Sequence, residues 1–72
     1  MIQTKTFGGV VWAAIARRGT ADMETILGAC SKEWPESTET QLRGLIGYHT
    51  RKMIAAKVIR RTDRGEYAVV GK

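Results

Sequence analysis

The sequence predicts one mostly α-helical domain, residues 1–72, with three helices and a small C-terminal β-hairpin. Three observations carry this. Apolar residues recur at helical spacing in three separate stretches. Two short β-prone runs flank Asp63-Arg64-Gly65 near the end. Finally, 72 residues are too few for a second core, and no repeat, low-complexity tract or long linker divides them.

The first helix begins at Phe7, where Phe7, Val10, Val11, Ala14 and Ile15 follow the i, i+3, i+4, i+7, i+8 pattern. Thr6 is positioned to cap it and Gly19 to stop it, with Arg17 and Arg18 near the negative end of its dipole. Trp12 lies beside the apolar face, not at its centre. A second helix spans about Asp22 to Cys30, with Met23, Ile26, Leu27 and Cys30 on one face and Thr20 as its cap. The segment SKEWPES then forms a connection, since Pro35 disfavours helical backbone at Trp34, and Trp34 anchors that connection to the core.

Thr38 and Gln41 have the spacing of a capping box and open the third helix. Its core stripe reads Leu42, Leu45, Ile46, His49 and Met53, which puts Thr40, Gly44, Gly47 and Arg51 near the outer pole and Arg43 and Tyr48 on the flanks. The helix fades around residues 55–57. Val58 to Thr62 and Glu66 to Val70 then read as strands of a hairpin, with Gly65 in the left-handed position of a three-residue loop. A hairpin alone is marginal, and the link Gly19-Thr20-Ala21 can add a third strand.

Charge is segregated along the chain. The net charge is +5: residues 1–19 contribute +3, residues 20–39 contribute −4, and residues 40–72 contribute +6. A basic C-terminal half points to a polyanionic partner. Cys30 is the only cysteine, which excludes an intramolecular disulfide and suits a cytoplasmic protein. His49 falls on an apolar stripe as a core or boundary residue, and Cys30 as a small buried hydrophobe. There is no phosphate-binding glycine loop, carboxylate pair or metal-ligand spacing, so an enzyme, a cofactor and a metal are all not expected. No apolar stretch reaches the length of a membrane span or forms a signal peptide.

The order helix, short strand, helix, helix, hairpin resembles the winged helix-turn-helix family of DNA-binding domains. The resemblance lies chiefly in LRGLIGYHTRKMIAAKVIRRTDRGEYAVV. There KMIAAKVIRR matches leucine-x-x-x-glycine-leucine-isoleucine-x-arginine, with Met53 in the leucine place, Lys57 in the glycine place and Val58-Ile59 as the apolar pair. The resemblance implies a third helix in the major groove of double-stranded DNA, presenting Thr40, Arg43, Gly44, Gly47, Tyr48, Arg51 and Lys52, with Thr38 on a phosphate near the helix start. It also implies a hairpin wing that brings Arg60, Arg61 and Arg64 to the phosphate backbone. The expected function is that of a small transcriptional regulator or accessory DNA-binding factor, in the manner of bacteriophage, plasmid or other prokaryotic regulators, working as a monomer or weak homodimer. Two features depart from the family pattern: the connection SKEWPES is long, and Glu33, Glu36 and Glu39 gather where phosphate would repel them. They support a second reading, a protein-interaction module gripping transcription or replication machinery through the acidic connection and Trp34. RNA binding through the basic wing is a third.

Overall fold

The computed structural model describes residues 6–71. Three helices, α1 (Phe7–Ala16), α2 (Met23–Glu33) and α3 (Glu39–Ala55), pack with three short strands, β1 (Thr20–Ala21), β2 (Ile59–Arg61) and β3 (Tyr67–Val69). The strands form one antiparallel sheet in the order β1-β3-β2. The link after α1 thus supplies the third strand. Thr20 pairs with Ala68 and Ala21 with Tyr67, and the Val69 N–H donates to the Gly19 carbonyl at 3.0 Å.

Each helix starts on a side-chain cap. The Thr6 hydroxyl accepts from the Gly9 N–H at 3.0 Å. For α2 the cap is Asp22, which accepts from the Thr25 N–H at 2.8 Å, and not Thr20 as expected. The reason is the sheet: Thr20, three residues before Met23, is committed to the pairing with Ala68. At α3 both halves of the capping box close, Gln41 N–H to Thr38 Oγ1 at 3.2 Å and Thr38 N–H to Gln41 Oε1 at 3.0 Å. α2 also runs one turn past its expected end at Cys30. Ser31, Lys32 and Glu33 continue the helix, which stops at Trp34, the residue restricted by Pro35.

The core is built from Val11, Ile15, Ile26, Cys30, Leu42, Ile46, Ile59 and Tyr67, with Ala21 beside them. It matches the expected faces of α1 and α2. The face of α3 does not match. Leu45, expected inside, is 44% exposed, whereas Thr50 is only 2% exposed. At 3.6 residues per turn this is a rotation of the buried face by about 40°. Thr50 tolerates burial because its hydroxyl donates within the helix, 2.8 Å from the Ile46 carbonyl and 3.2 Å from that of Gly47. With that polar group satisfied, burying Thr50 costs little, and the rotation brings the outer pole to Gly44 and Tyr48. Gly47, expected at that pole, is half-buried.

α3 ends in a Schellman turn. The Val58 N–H donates to the Met53 carbonyl at 3.1 Å and the Lys57 N–H to that of Ile54 at 3.0 Å. This requires left-handed backbone at residue 57, and Lys57 adopts it with φ 65°. The hairpin loop is equally specific. The Gly65 N–H donates to the Thr62 carbonyl at 3.0 Å, and the Thr62 N–H to that of Glu66 at 2.8 Å. Gly65, at φ 81°, occupies the left-handed position of the three-residue loop. The strands are shorter than the β-prone runs at their inner ends because this turn consumes Thr62 and Glu66, and Val58 is taken by the Schellman turn.

Candidate nucleic-acid interface

The outward surface of α3 is set by its rotation. Thr40, Gln41, Gly44, Leu45, Tyr48, Arg51, Lys52 and Ala55 are all exposed, and they cover the side opposite Leu42, Ile46 and Thr50. Thr38 sits at the amino end, its hydroxyl already accepting from Gln41 N–H.

The polar groups on this surface are unequal. Arg43 is exposed yet engaged: Nε donates to Glu39 Oε2 and Nη2 to Glu24 Oε2, each at 2.8 Å. These contacts, first from Glu39 and then from Glu24, push the Arg43 pKa further up. Gln41 holds the capping box through its carbonyl oxygen. The Lys52 ammonium stands 5.2 Å from the centre of the Tyr48 ring, a cation–π approach. Arg51 is exposed.

Tyr48 also lies edge-on to His49, with ring centroids 5.2 Å apart, and His49 stacks on Phe7 at 5.3 Å. Phe7 in turn meets Trp34 at 5.0 Å. A row of aromatic contacts therefore runs from the outside of α3, past the start of α1, to the end of α2. His49 belongs to this row as a packing residue, and Trp34 anchors its connection, both as expected. The Cys30 thiol is fully buried, and burial pushes its pKa up.

Gly44 and Gly47 show what their missing side chains leave room for. A methyl group built at either position meets no atom within 4 Å. Packing within this chain does not demand glycine at either one. The same holds at Gly28 on α2, so open space alone does not mark a site. What distinguishes Gly44 is its exposed place between Arg51, Tyr48 and the α3 amino end, whereas Gly47 is half-buried on the flank.

On the hairpin, Arg60 and Arg64 are exposed. Arg61 lies directly across from Tyr67 and places its guanidinium 5.6 Å from the ring centre. The three arginines therefore divide into two open cations and one stacked on the core's tyrosine. Because α3 passes into β2 through only residues 56–58, the hairpin bases begin where the helix ends.

A concavity of about 830 Å³ lies elsewhere, between α1 and α2. Its floor includes Gly9, Ala13, Ala14 and Gly28, with Arg17, Arg18 and Lys32 among its lining residues. No group of three or more His, Cys, Asp or Glu side chains that could hold a metal occurs among the described residues. No described helix is long and apolar enough to cross a membrane.

Comparison with protein-family models, with curated proteins and with solved structures gives no match to this chain. The functional reading therefore rests on the surface itself. Sequence reasoning named Thr40, Gly44, Tyr48, Arg51 and Lys52, which do share the outer side of α3. It did not name Leu45, whose exposure comes from the helix rotation, or the pairing of Arg43 with Glu24. The second has no local signal, since the partners are 19 residues apart.

Proposed function

We propose that the protein binds double-stranded DNA with α3 in the major groove and the β2–β3 hairpin on the phosphate backbone, in the manner of a winged helix-turn-helix. The reading is carried by the surface of α3. Gly44 is exposed there with open space beside it among the described residues, and near it stand an exposed arginine and a helix end that leads into further exposed arginines. Glycine on an exposed helix face costs about 1 kcal/mol relative to alanine. A backbone that must come close to another molecule gives that cost a purpose.

The chemistry follows from the groups available. Arg51 can make the forked pair of hydrogen bonds to guanine O6 and N7. Arg60 and Arg64 neutralise phosphates and release counterions, which makes affinity fall with salt. Thr38 and Thr40 lie where the free N–H groups of a helix start favour a phosphate oxygen. Of the three acids near the start of α3, Glu39 fits this reading better than its sequence position suggests, because Arg43 matches it together with Glu24. A small transcriptional regulator or accessory DNA-binding factor, acting as a monomer or weak homodimer, is the role this supports. Trp34 is half-buried against Phe7, which leaves the acidic connection without an exposed aromatic anchor for a protein partner.

Amide shifts of labelled protein, titrated with a mixed-sequence duplex at low and moderate salt, test the reading. Salt-sensitive shifts over residues 38–52 and 60–65 are expected. In parallel, Arg64→Ala is expected to weaken all duplexes alike and flatten the salt slope, and Arg51→Ala to relax preference at one base position. Unmoved amides at low salt, or affinity indifferent to both changes, would sink it.

A further inference from the structure

We infer that Leu45 and Tyr48 make α3 a reader of the thymine methyl group, so that its preferred duplex is recognised in part through apolar contacts in the major groove. This rests on the DNA-binding reading and assigns a specificity to the same surface.

The inference comes from which side chains are engaged and which are open. Two residues with the chemistry for hydrogen-bonded readout are occupied inside the protein. Arg43, suited to guanine, is held by Glu39 and Glu24 at 2.8 Å each. Gln41, suited to adenine, spends its carbonyl oxygen on the Thr38 N–H. Bidentate recognition by either would first break these contacts. By contrast, two large side chains with apolar surface stand open at 44% (Leu45) and 52% (Tyr48) exposure. They lie three residues apart on neighbouring turns, a spacing that brings side chains together on one side of a helix. Gly44 lies next to Tyr48 around the helix, on the side away from Leu45, and a methyl group built there meets open space. A shallow depression lined by Ser37, Thr40, Gln41, Gly44 and Leu45 continues this surface toward the helix start.

In the major groove the apolar feature of an unmodified base pair is the C5-methyl of thymine. Leu45 offers aliphatic carbon to it, and Tyr48 offers the part of its ring left exposed beside Lys52 and His49. Arg51 and Lys52 on the same helix supply the positive charge that draws this apolar patch to DNA instead of to an uncharged surface.

The test uses the full chain. Duplexes are selected from a randomised pool, and the winning duplex is then remade with deoxyuridine at each thymine in turn. Uracil keeps the pairing and the O4 acceptor and removes only the methyl group. At one or more positions the substitution is expected to weaken binding roughly fourfold, the transfer value of one buried carbon group. That ratio is expected to fall toward one in Leu45→Ala or Tyr48→Ala and to persist in Arg64→Ala, which weakens thymine and uracil duplexes equally. A winning duplex that binds equally well with uracil at every position overturns the inference and leaves DNA binding intact. A thymine preference undiminished in both Leu45→Ala and Tyr48→Ala also overturns it, since the methyl would then be read elsewhere. Failure of every duplex to bind at low salt removes the DNA-binding reading, and this inference with it.

Discussion

Arg43 and Glu24 join α3 to α2, with Nη2 and Oε2 2.8 Å apart, while Glu39 holds the Nε of the same guanidinium. One cation therefore neutralises two acids at the junction of the two helices. All three groups are solvent-exposed, so the contacts contribute little to stability and are screened by salt. Their effect on a polyanionic partner is larger, because Glu24 and Glu39 determine how much of the Arg43 charge remains available.

Glu24→Ala removes one acid and frees half of that guanidinium. Duplex affinity is expected to rise, with a salt slope steeper by about one ion, the signature of one added phosphate contact. The thermal midpoint should barely move. Affinity measured at four or five salt concentrations checks this, and an unchanged slope would mean that Arg43 lies away from the phosphates.

Gly44→Ala and Gly47→Ala separate stability from binding. An added methyl group meets open space at both positions, so each change is expected to stabilise the protein by about 0.5–1 kcal/mol in urea unfolding. Gly44→Ala, on the exposed side, is also expected to weaken duplex binding by moving the helix backbone away from the bases. Stabilisation with unchanged affinity would leave Gly44 without a role in recognition.

Lys57 carries left-handed backbone at the C-terminus of α3, where glycine is the residue without penalty. Lys57→Gly is therefore expected to raise stability by about 1 kcal/mol, since the left-handed conformation costs a side-chain-bearing residue about that much. Urea unfolding checks it. A loss of stability would mean that the lysine side chain contributes more than its backbone conformation costs.

Asp22 gives the fold an acid dependence of known sign. Hydrogen bonds from Thr25, its side chain first and its backbone N–H second, hold the Asp22 carboxyl below its ordinary value of 3.8. A depressed folded-state pKa means stability that is fully present above about pH 4 and lost as the pH falls through the folded value. Asp22→Asn keeps a capping oxygen and cannot titrate. Thermal melts from pH 6 to pH 2 are expected to show a shallower acid loss in Asp22→Asn than in the wild type.

Much of this architecture was legible because its causes are local. Thr6 and the pair Thr38–Gln41 act over three residues, and the hairpin turn spans five residues with one obligatory left-handed glycine. The third strand was legible for a different reason, since a two-stranded hairpin needed a neighbour and residues 19–21 were the segment left over. Asp22 and Thr20 were harder to separate. Both are good caps, and it took pairing with Ala68, 48 positions away along the chain, to remove Thr20 from the competition.

The sequence by itself determined that there are three helices and a hairpin, where α3 begins, and that basic charge collects toward the C-terminus. These follow from periodicity, capping and composition, which act along the chain. Tertiary structure decided how α3 turns about its own axis. A helical period marks an apolar stripe but fixes its centre only loosely, and packing against α1, α2 and β2 chose among neighbouring rotations. Burying Thr50, with its hydroxyl satisfied by Ile46 and Gly47, turned Leu45 outward. The same packing brought Glu24 to Arg43. Those two outcomes determine which side chains of α3 a partner meets.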